Sequence, residues 1–499
     1  MEQFRIGNRL VGDAQPAYII AEMSANHAGS LERAKEIIHA AKESGADCIK
    51  IQTYTPDTLT IDCNNRYFHI DNGTWEGENL YRLYGKAFTP WEWQHELKEE
   101  AEKTGIDFLS TPFDNTAVDF LENIGLSFYK IASFEMVDLP LLSYVASKGK
   151  PIIMSTGMAT LREIREAVDT ISATGNRQLA LLKCSSAYPA DPADMHLRTI
   201  TDMKKEFGIP VGLSDHSMGS LSAATAVALG ANVIEKHFCI SREIENPDSS
   251  FSMTPAEFKE MVDTIRKTEA ALGSPMYGAS IQEKNSLVFR RSVFVVKDIK
   301  KGEPFTEENI RIIRPGYGLH PREYPHVLGK ICREDIDRGM PLTADAVEGY
   351  LSFRKADMED AGLLFDWANE EETRKQSFHT EPIPWETHVK WLKEVLQNKD
   401  RHLYICLHGD TPVGMYRLDR ISEGTFEISY SIAQACRERG YGRAMLKEGE
   451  AFFLAAHPDV KKLTARVKDK NAASCRLFEE LGYEKIQEEG FCCYRKQED

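Results

Sequence analysis

From residue 17 to about 270 the chain alternates between two textures. Short runs rich in Ile, Val and Leu, namely AYIIAEM (17–23), CIKIQTY (48–54), DFLSTPF (107–113), FYKIAS (128–133), PIIMST (151–156), LALLKCS (179–185), VGLSD (211–215) and VIEKHF (233–238), are each followed by polar residues and a stretch of helical periodicity. Near-continuous apolar runs of this length predict strands buried on both faces. The intervening stretches, such as SLERAKEIIHAAKESGA and TPAEFKEMVDTIRKTEAALG, open in several cases on Ser or Thr and close on Gly, as helix capping requires. Eight such βα units over about 250 residues is the count of a (β/α)8 barrel. An open doubly wound sheet shares the alternation and is the alternative.

After Gly273 the helical pattern stops, and residues 289–350 read as short strands and turns with a weak internal repeat. DIKKGEPFTEENI (298–310) and DIDRGMPLTADAV (335–347) share Asp-Ile, a basic residue, Gly, Pro and Thr in register. From Leu351 a third unit mixes helices with the strand-like YICLH, GMYRLDR and EISYSI. The expected division is therefore 1–275, 276–350 and 351–499, all within an α/β class, and 499 residues suit about three domains.

Strand side chains alternate between faces, and this parity locates chemistry. VIEKHF puts Glu235 and His237 on the inward face with Val233, and Lys236 outward with Ile234 and Phe238. The same count groups Lys50 with Gln52, Ser214 with His216 and Glu22 with Ile20, and it isolates Lys130 among apolar neighbours. Each of these polar residues lies toward the C-terminal end of its run, the face on which barrel enzymes assemble their sites. Burying Glu22, Glu235, Lys50 and Lys130 unpaired would cost several kcal/mol each, roughly, so their convergence demands partners or a ligand. A structural salt-bridge cluster is the plainer reading. Two imidazoles, His216 and His237, could hold a divalent metal with open positions. Two lysines with the hydroxyls of Thr111, Ser133, Ser155, Ser186 and Ser214 suit a phosphate and a carboxylate together, which points to a small phosphorylated acid.

Charge and cysteine content narrow the class. With 61 Lys plus Arg against 77 Asp plus Glu, the formal charge of −16 argues against broad binding to nucleic acid or an anionic membrane. Ten cysteines show no C-x-x-C and no paired zinc spacing, no signal peptide opens the chain, and no apolar run reaches a membrane span. Reduced thiols in a cytoplasmic protein are the expectation.

The motifs IAEMSANHAGS, KIQTYTPDT, STPFD, YKIAS, STGMAT, SDHSMG and EKHF, in this order, resemble the sialic acid synthase family, whose barrel condenses phosphoenolpyruvate with an amino-sugar aldose. The similarity covers nearly all of residues 1–350, because the module after the barrel resembles the antifreeze-like (SAF) domain that ends those synthases. Within the family, GTWEGENLYRLYGKAFTPWEW and DSSFSM look most like the pseudaminic acid synthase branch, acting on an L-altro sugar, rather than the N-acetylneuraminate or legionaminate branches. The resemblance implies that His216 and His237 ligate manganese or magnesium. It places Lys50, Thr111, Lys130, Ser133, Ser155 and Ser214 at phosphoenolpyruvate. Glu22 would assist proton transfer, with Gln52, Glu135, Tyr188, Glu235 and Asp248 around the sugar. One departure is CSSAYP, where the family usually has Asn in place of Ser186. Arg314, in IRPGYG, occupies the position of the arginine that reaches into a partner's site, which implies a domain-swapped homodimer.

CRERGYGRAML (436–446) carries Arg-x-x-Gly-x-Gly at the opening of a helix, where backbone N–H groups can meet a pyrophosphate. Together with VKDKNAASCRLFEELGYEK it resembles the GNAT acetyltransferases. That resemblance implies acetyl-CoA bound by Arg437, Arg439, Gly440, Tyr441, Gly442, Arg443, Asn471 and Ser474. Phe478 stands where a tyrosine general acid often lies, and Glu427 is a candidate base for the amine. Active N-acetyltransferase and degenerate acetyl-CoA-binding module both remain open. For the barrel the alternatives are a Schiff-base aldolase using Lys130 or Lys50 and a non-enzymatic sugar-binding module.

Overall fold

The computed structural model describes residues 3–7, 9–71 and 73–497. They form two compact units, Met1–Met276 and Tyr277–Asp499.

The first unit is a closed barrel of eight parallel strands: β1 Tyr18–Glu22, β2 Cys48–Thr53, β3 Asp107–Pro112, β4 Tyr129–Ile131, β5 Ile152–Ser155, β6 Leu179–Cys184, β7 Val211–Asp215 and β8 Val233–His237. Each falls on one of the predicted runs. Because β8 pairs with both β7 and β1, the sheet has no edge and the doubly wound alternative is excluded. Parity holds around the ring. Ile20, Leu109, Ile153, Leu182 and Val233 pack inward, whereas Ile19, Ile49, Ile51, Ile131 and Ile234 pack against the helices.

An antiparallel hairpin that the hydrophobic pattern did not reveal, Phe4–Ile6 with Arg9–Val11, adds Phe4, Ile6 and Val11 to the inward cluster at the N-terminal end of the strands. That end is thereby closed by apolar side chains, and polar inward residues are confined to the other. Capping positions the helices. Ser30 accepts from Arg33 N ahead of Leu31–Glu43, and Thr160 forms a capping box with Glu163 ahead of Leu161–Ala173. Such caps contribute about 1 kcal/mol each. In Leu31–Glu43 the buried residues Ala34, Ile37, Ile38 and Ala41 follow the i, i+3, i+4, i+7 spacing of a single face.

In the second unit Ser292–Val295 pairs with Ile310–Ile313, and the internal repeat proves to be a two-fold relation. Ile299 and Ile336 exchange both backbone hydrogen bonds, at 2.9 and 2.8 Å. Lys301 N donates to Asp335 Oδ1 at 2.9 Å, and its repeat mate Arg338 N donates to Asp298 Oδ1 at 2.7 Å. The remainder is a seven-stranded sheet in the order Ser352–Lys355, Arg401–His408, Thr411–Ser422, Thr425–Ile432, Lys462–Lys468, Phe491–Gln497, Glu484–Glu488. Its one parallel pair, Thr425–Ile432 with Lys462–Lys468, loses its ladder after Ile428–Ala465 although both strands continue, which opens a wedge. No helix among the described residues is long and apolar enough to cross a membrane.

Candidate active site

At the open end of the barrel, strand register brings the charged residues together. Glu22 lies beside Lys50 on β2 and His237 on β8, and Glu235 lies beside Ser214 on β7. Lys50 Nζ sits 2.6 Å from Glu22 Oε2 and 2.8 Å from Glu235 Oε1. Lys130, isolated on its own strand, meets Ser155 Oγ at 2.8 Å and lies 3.5 Å from Glu235 Oε1. Ser214 Oγ donates to the same Glu235 oxygen at 3.2 Å. All four charged side chains are almost fully buried, and two cations balance two anions. Burial pushes the Glu235 carboxyl up, but Lys130 and Lys50 outweigh it and hold the group at about 2. Burial dominates at Lys50, whose ammonium falls to about 7 despite Glu235.

The cluster is not self-satisfied. Buried Thr111 Oγ1, Glu135 Oε2, Glu235 Oε2 and His237 Nδ1 have no hydrogen-bond partner among the described residues. Buried polar groups in folded proteins are ordinarily paired, so four orphans at one barrel mouth mark a place shaped for a ligand. Gly157 supports this: a Cβ there would stand 2.3 Å from Ser186 Oγ and 2.8 Å from Ser133 Oγ, so its absence leaves a cradle lined by hydroxyls. Ser133 Oγ already accepts from Gly157 N at 3.0 Å.

The imidazoles of His216 and His237 lie with ring centroids 5.4 Å apart. His216 Nδ1 donates to Ser185 O at 2.9 Å, so in the neutral ring Nε2 carries the lone pair. Burial pushes His237 well below the usual histidine range, which keeps it neutral and able to ligate. A neutral imidazole with an orphaned nitrogen beside a second oriented one fits a divalent ion held by two protein ligands with open positions. Among the described residues there is no cluster of three or more His, Cys, Asp or Glu arranged to hold a metal, so further ligands would be water and substrate.

The remaining expected residues line the same mouth. Gln52 Nε2 donates to Ser24 Oγ at 3.1 Å and Glu22 Oε1 at 3.4 Å. Tyr188 packs 4.3 Å from the His216 ring, and Asp248 accepts from Ala25 N at 3.1 Å. Burial raises Glu135 to about 7. Three neighbours escaped the sequence reading: Cys184, 3.8 Å from His216 Nδ1; Phe251, 5.0 Å from the His237 ring; and Trp75, 5.4 Å from Tyr188. Strand parity applied to LALLKCS would have found Cys184. The two aromatics lie outside the strands and carry no such signal.

Arg314 follows Ile310–Ile313 in the second unit, exposed and without a hydrogen-bond or ion-pair partner among the described residues. In the wedge region Gly440 starts the helix Tyr441–Ala456 with no side-chain cap, so its first N–H groups are free for an anion. Arg439, Tyr441, Gly442 and Arg443 surround this start, Arg443 lying 3.6 Å from Glu480. Arg437 is not displayed with them: it donates to Glu370 Oε2 at 2.6 Å and Thr373 Oγ1 at 3.0 Å. Asn471 Oδ1 caps its helix through Ser474 N at 3.1 Å, and Ser474 Oγ meets Tyr430 OH at 3.0 Å. Glu427 is gripped by Arg466 at 2.7 and 2.9 Å, a two-point pair that favours its ionised form. Phe478 is fully buried, stacked 5.3 Å from Tyr494.

Comparison with known proteins agrees with this architecture. Residues 37–277 match the NeuB family, 290–348 a SAF domain and 351–484 an acetyltransferase (GNAT) domain. The chain is 48% identical over 325 residues to a pseudaminic acid synthase of Campylobacter jejuni strain 81-176, covering 65% of this chain and 95% of the relative. It is 45% identical over 336 residues to that of Helicobacter pylori, covering 67% and 98%. An N,N'-diacetyllegionaminic acid synthase of Legionella pneumophila is 38% identical over 345 residues, covering 68% and 96%. Among solved structures, an N-acetylneuraminic acid synthetase from Leptospira borgpetersenii in complex with citrate superposes with a TM-score of 0.52 at 30% identity, covering 57% of this chain and 95% of that one. With its barrel, SAF module and appended GNAT domain, the chain belongs to the NeuB family.

Proposed function

We propose that the barrel condenses phosphoenolpyruvate with a 2,4-diacetamido-2,4,6-trideoxy-L-altrose to give pseudaminic acid and phosphate, and that the GNAT domain transfers acetyl from acetyl-CoA to an amino-sugar. The observation that carries the first half is the barrel-mouth cluster, in which two buried lysines and a hydroxyl-lined cradle stand beside orphaned carboxylates and a pair of ligating imidazoles. Relatives bearing the synthase name at 45–48% identity support the choice of sugar.

In this reading Lys50 and Lys130, with Thr111, Ser133, Ser155, Ser186 and Ser214, hold the phosphate and carboxylate. Manganese or magnesium held by His216 and His237 would supply polarisation of the sugar aldehyde. Gln52, Glu135, Tyr188 and Asp248 orient the sugar so that its carbonyl carbon faces C3 of phosphoenolpyruvate. Glu235, kept ionised by its lysines, and Glu22 lie where positive character develops at C2 before water adds there and phosphate departs. The exposed Arg314, with no partner among the described residues, supports a domain-swapped dimer in which it reaches the partner's sugar. Ten free cysteines support a reducing, cytoplasmic setting.

The test is phosphate release across a panel of amino-sugars, with and without chelator. His216→Ala should abolish metal-dependent turnover, and full activity after chelation would sink the assignment. The lowered ammonium of Lys50 favours one second reading, a Schiff-base aldolase. Borohydride trapping with pyruvate would reveal that enzyme, and chelators would leave it active. Acetyl-CoA consumption with a 4-amino-sugar or its nucleotide conjugate separates an active transferase from a module that merely binds the cofactor.

A further inference from the structure

Behind the two imidazoles, on the outer face of the barrel, lies an ion pair that the proposed chemistry does not use. Lys236 and Asp215 are register partners on β8 and β7, each about 1% exposed, with Nζ 2.7 Å from Oδ2. Lys236 Nζ also donates to Ser217 O and, at 3.0 Å, to Gly219 O, so all three ammonium protons have acceptors. The other carboxylate oxygen of Asp215 accepts from Ser217 N at 2.8 Å and Ser217 Oγ at 2.7 Å. Ser217 Oγ in turn meets Ser222 Oγ at 2.8 Å, on the helix Leu221–Ala228.

The placement is specific. Asp215 is the residue before His216, and Lys236 is the residue before His237. Alternation turns each imidazole inward and each ion outward, so the pair ties β7 to β8 one residue behind both rings and pins the backbone on either side of His216. Buried ion pairs are weak contributors to stability, and apolar replacements of similar size often serve a fold as well or better. Stability alone therefore gives little reason for a lysine and an aspartate here, whereas a fixed spacing between two ligands does.

We propose that Lys236 and Asp215 are positioning residues that set the separation and orientation of His216 and His237 for a divalent ion. This rests on the reading that the two histidines hold such an ion. It extends that reading to two groups which touch neither metal nor substrate. Outer groups that orient metal ligands typically change affinity by about 10- to 100-fold when removed.

The experiment compares the full-length native protein, Lys236→Met and the double variant Lys236→Met/Asp215→Leu, in three measurements: Mn2+ affinity by electron paramagnetic resonance titration without substrate, phosphoenolpyruvate affinity by calorimetry, and melting temperature. Lys236→Met leaves a buried carboxylate unpaired and should lower the melting temperature; the double variant removes both charges and should recover part of the loss, the backbone groups of Ser217 and Gly219 remaining without these partners. The expected result is a double variant that melts above Lys236→Met and binds phosphoenolpyruvate normally, while its Mn2+ affinity is at least about 10-fold weaker. A stable double variant that binds Mn2+ as tightly as the native protein overturns the proposal. So does a parallel loss of Mn2+ affinity, phosphoenolpyruvate affinity and melting temperature, which would mark the pair as general scaffolding. Native protein that binds no Mn2+ removes the underlying metal reading instead, and this inference with it.

Discussion

Lys50 is the residue on which the barrel-mouth electrostatics turn. It is sandwiched between Glu22 and Glu235, yet burial lowers its ammonium from the ordinary 10.5 to about 7. A phosphate is held by the protonated form, so the sign is fixed: affinity is full below about pH 7 and declines as the proton is lost above it. We expect kcat/KM for phosphoenolpyruvate to be flat on the acid side of this value and to fall about tenfold per pH unit above it. A profile flat to pH 9 would show that Lys50 keeps its proton in the free protein. The loose cradle at Gly157 makes a second prediction at this scale. A Cβ there meets the Ser186 and Ser133 hydroxyls and, at 3.1 Å, the Ser133 Cβ, side chains rather than backbone, so Gly157→Ala should keep the fold at a modest cost and lose phosphoenolpyruvate affinity, as calorimetry would show.

Among the elements, β7 admits no side chain at Gly212. A Cβ on Gly212 would stand 2.2 Å from the Val233 carbonyl oxygen, backbone that cannot yield without parting β7 from β8. Gly212→Ala should therefore cost about 3 kcal/mol, read as a lower melting temperature together with lost activity, the reverse of the pattern expected at Gly157. The strands themselves were legible in the sequence because every barrel strand is apolar on both faces and bounded by polar turns. Parity then turned Glu22, Lys50, Glu235 and His237 inward correctly. What one strand cannot show is its neighbour. Lys130 reads as isolated along FYKIAS and finds Ser155 and Glu235 only across the sheet. Lys236 reads as an outward residue, and its partner Asp215 emerges only from the β7–β8 register. The N-terminal hairpin is too short for periodicity to speak, and it is recognisable only by what it plugs. In the GNAT domain the glycine motif announced the helix start correctly, but nothing in the sequence foretold that Glu370 would claim Arg437 or that Arg466 would claim Glu427.

Over the whole molecule, the named synthase relatives are matched over 95–98% of their length by about two thirds of this chain, so a synthase of this family is complete without a GNAT domain. A stop after Glu348 or Gly349 should leave phosphoenolpyruvate-dependent phosphate release within about twofold of the full chain and abolish acetyl-CoA turnover. Loss of both would show that the two catalysts depend on one another. The proposed dimer is tested by light scattering on a sizing column: Arg314→Ala should stay dimeric while sugar KM rises, and a fully active native monomer would refute the exchange.

One feature of the barrel mouth reaches beyond catalysis. Without ligand, Glu22 and Glu235 already pair with Lys50 and Lys130, and Lys50 titrates near pH 7. An incoming trianion breaks that balance in a place where water cannot restore it. The nearest remedy is for Lys50 to draw a proton from solution as the ligand enters. Phosphoenolpyruvate should therefore be taken up together with hydrogen ions, and its heat of binding should change with the ionisation enthalpy of the buffer.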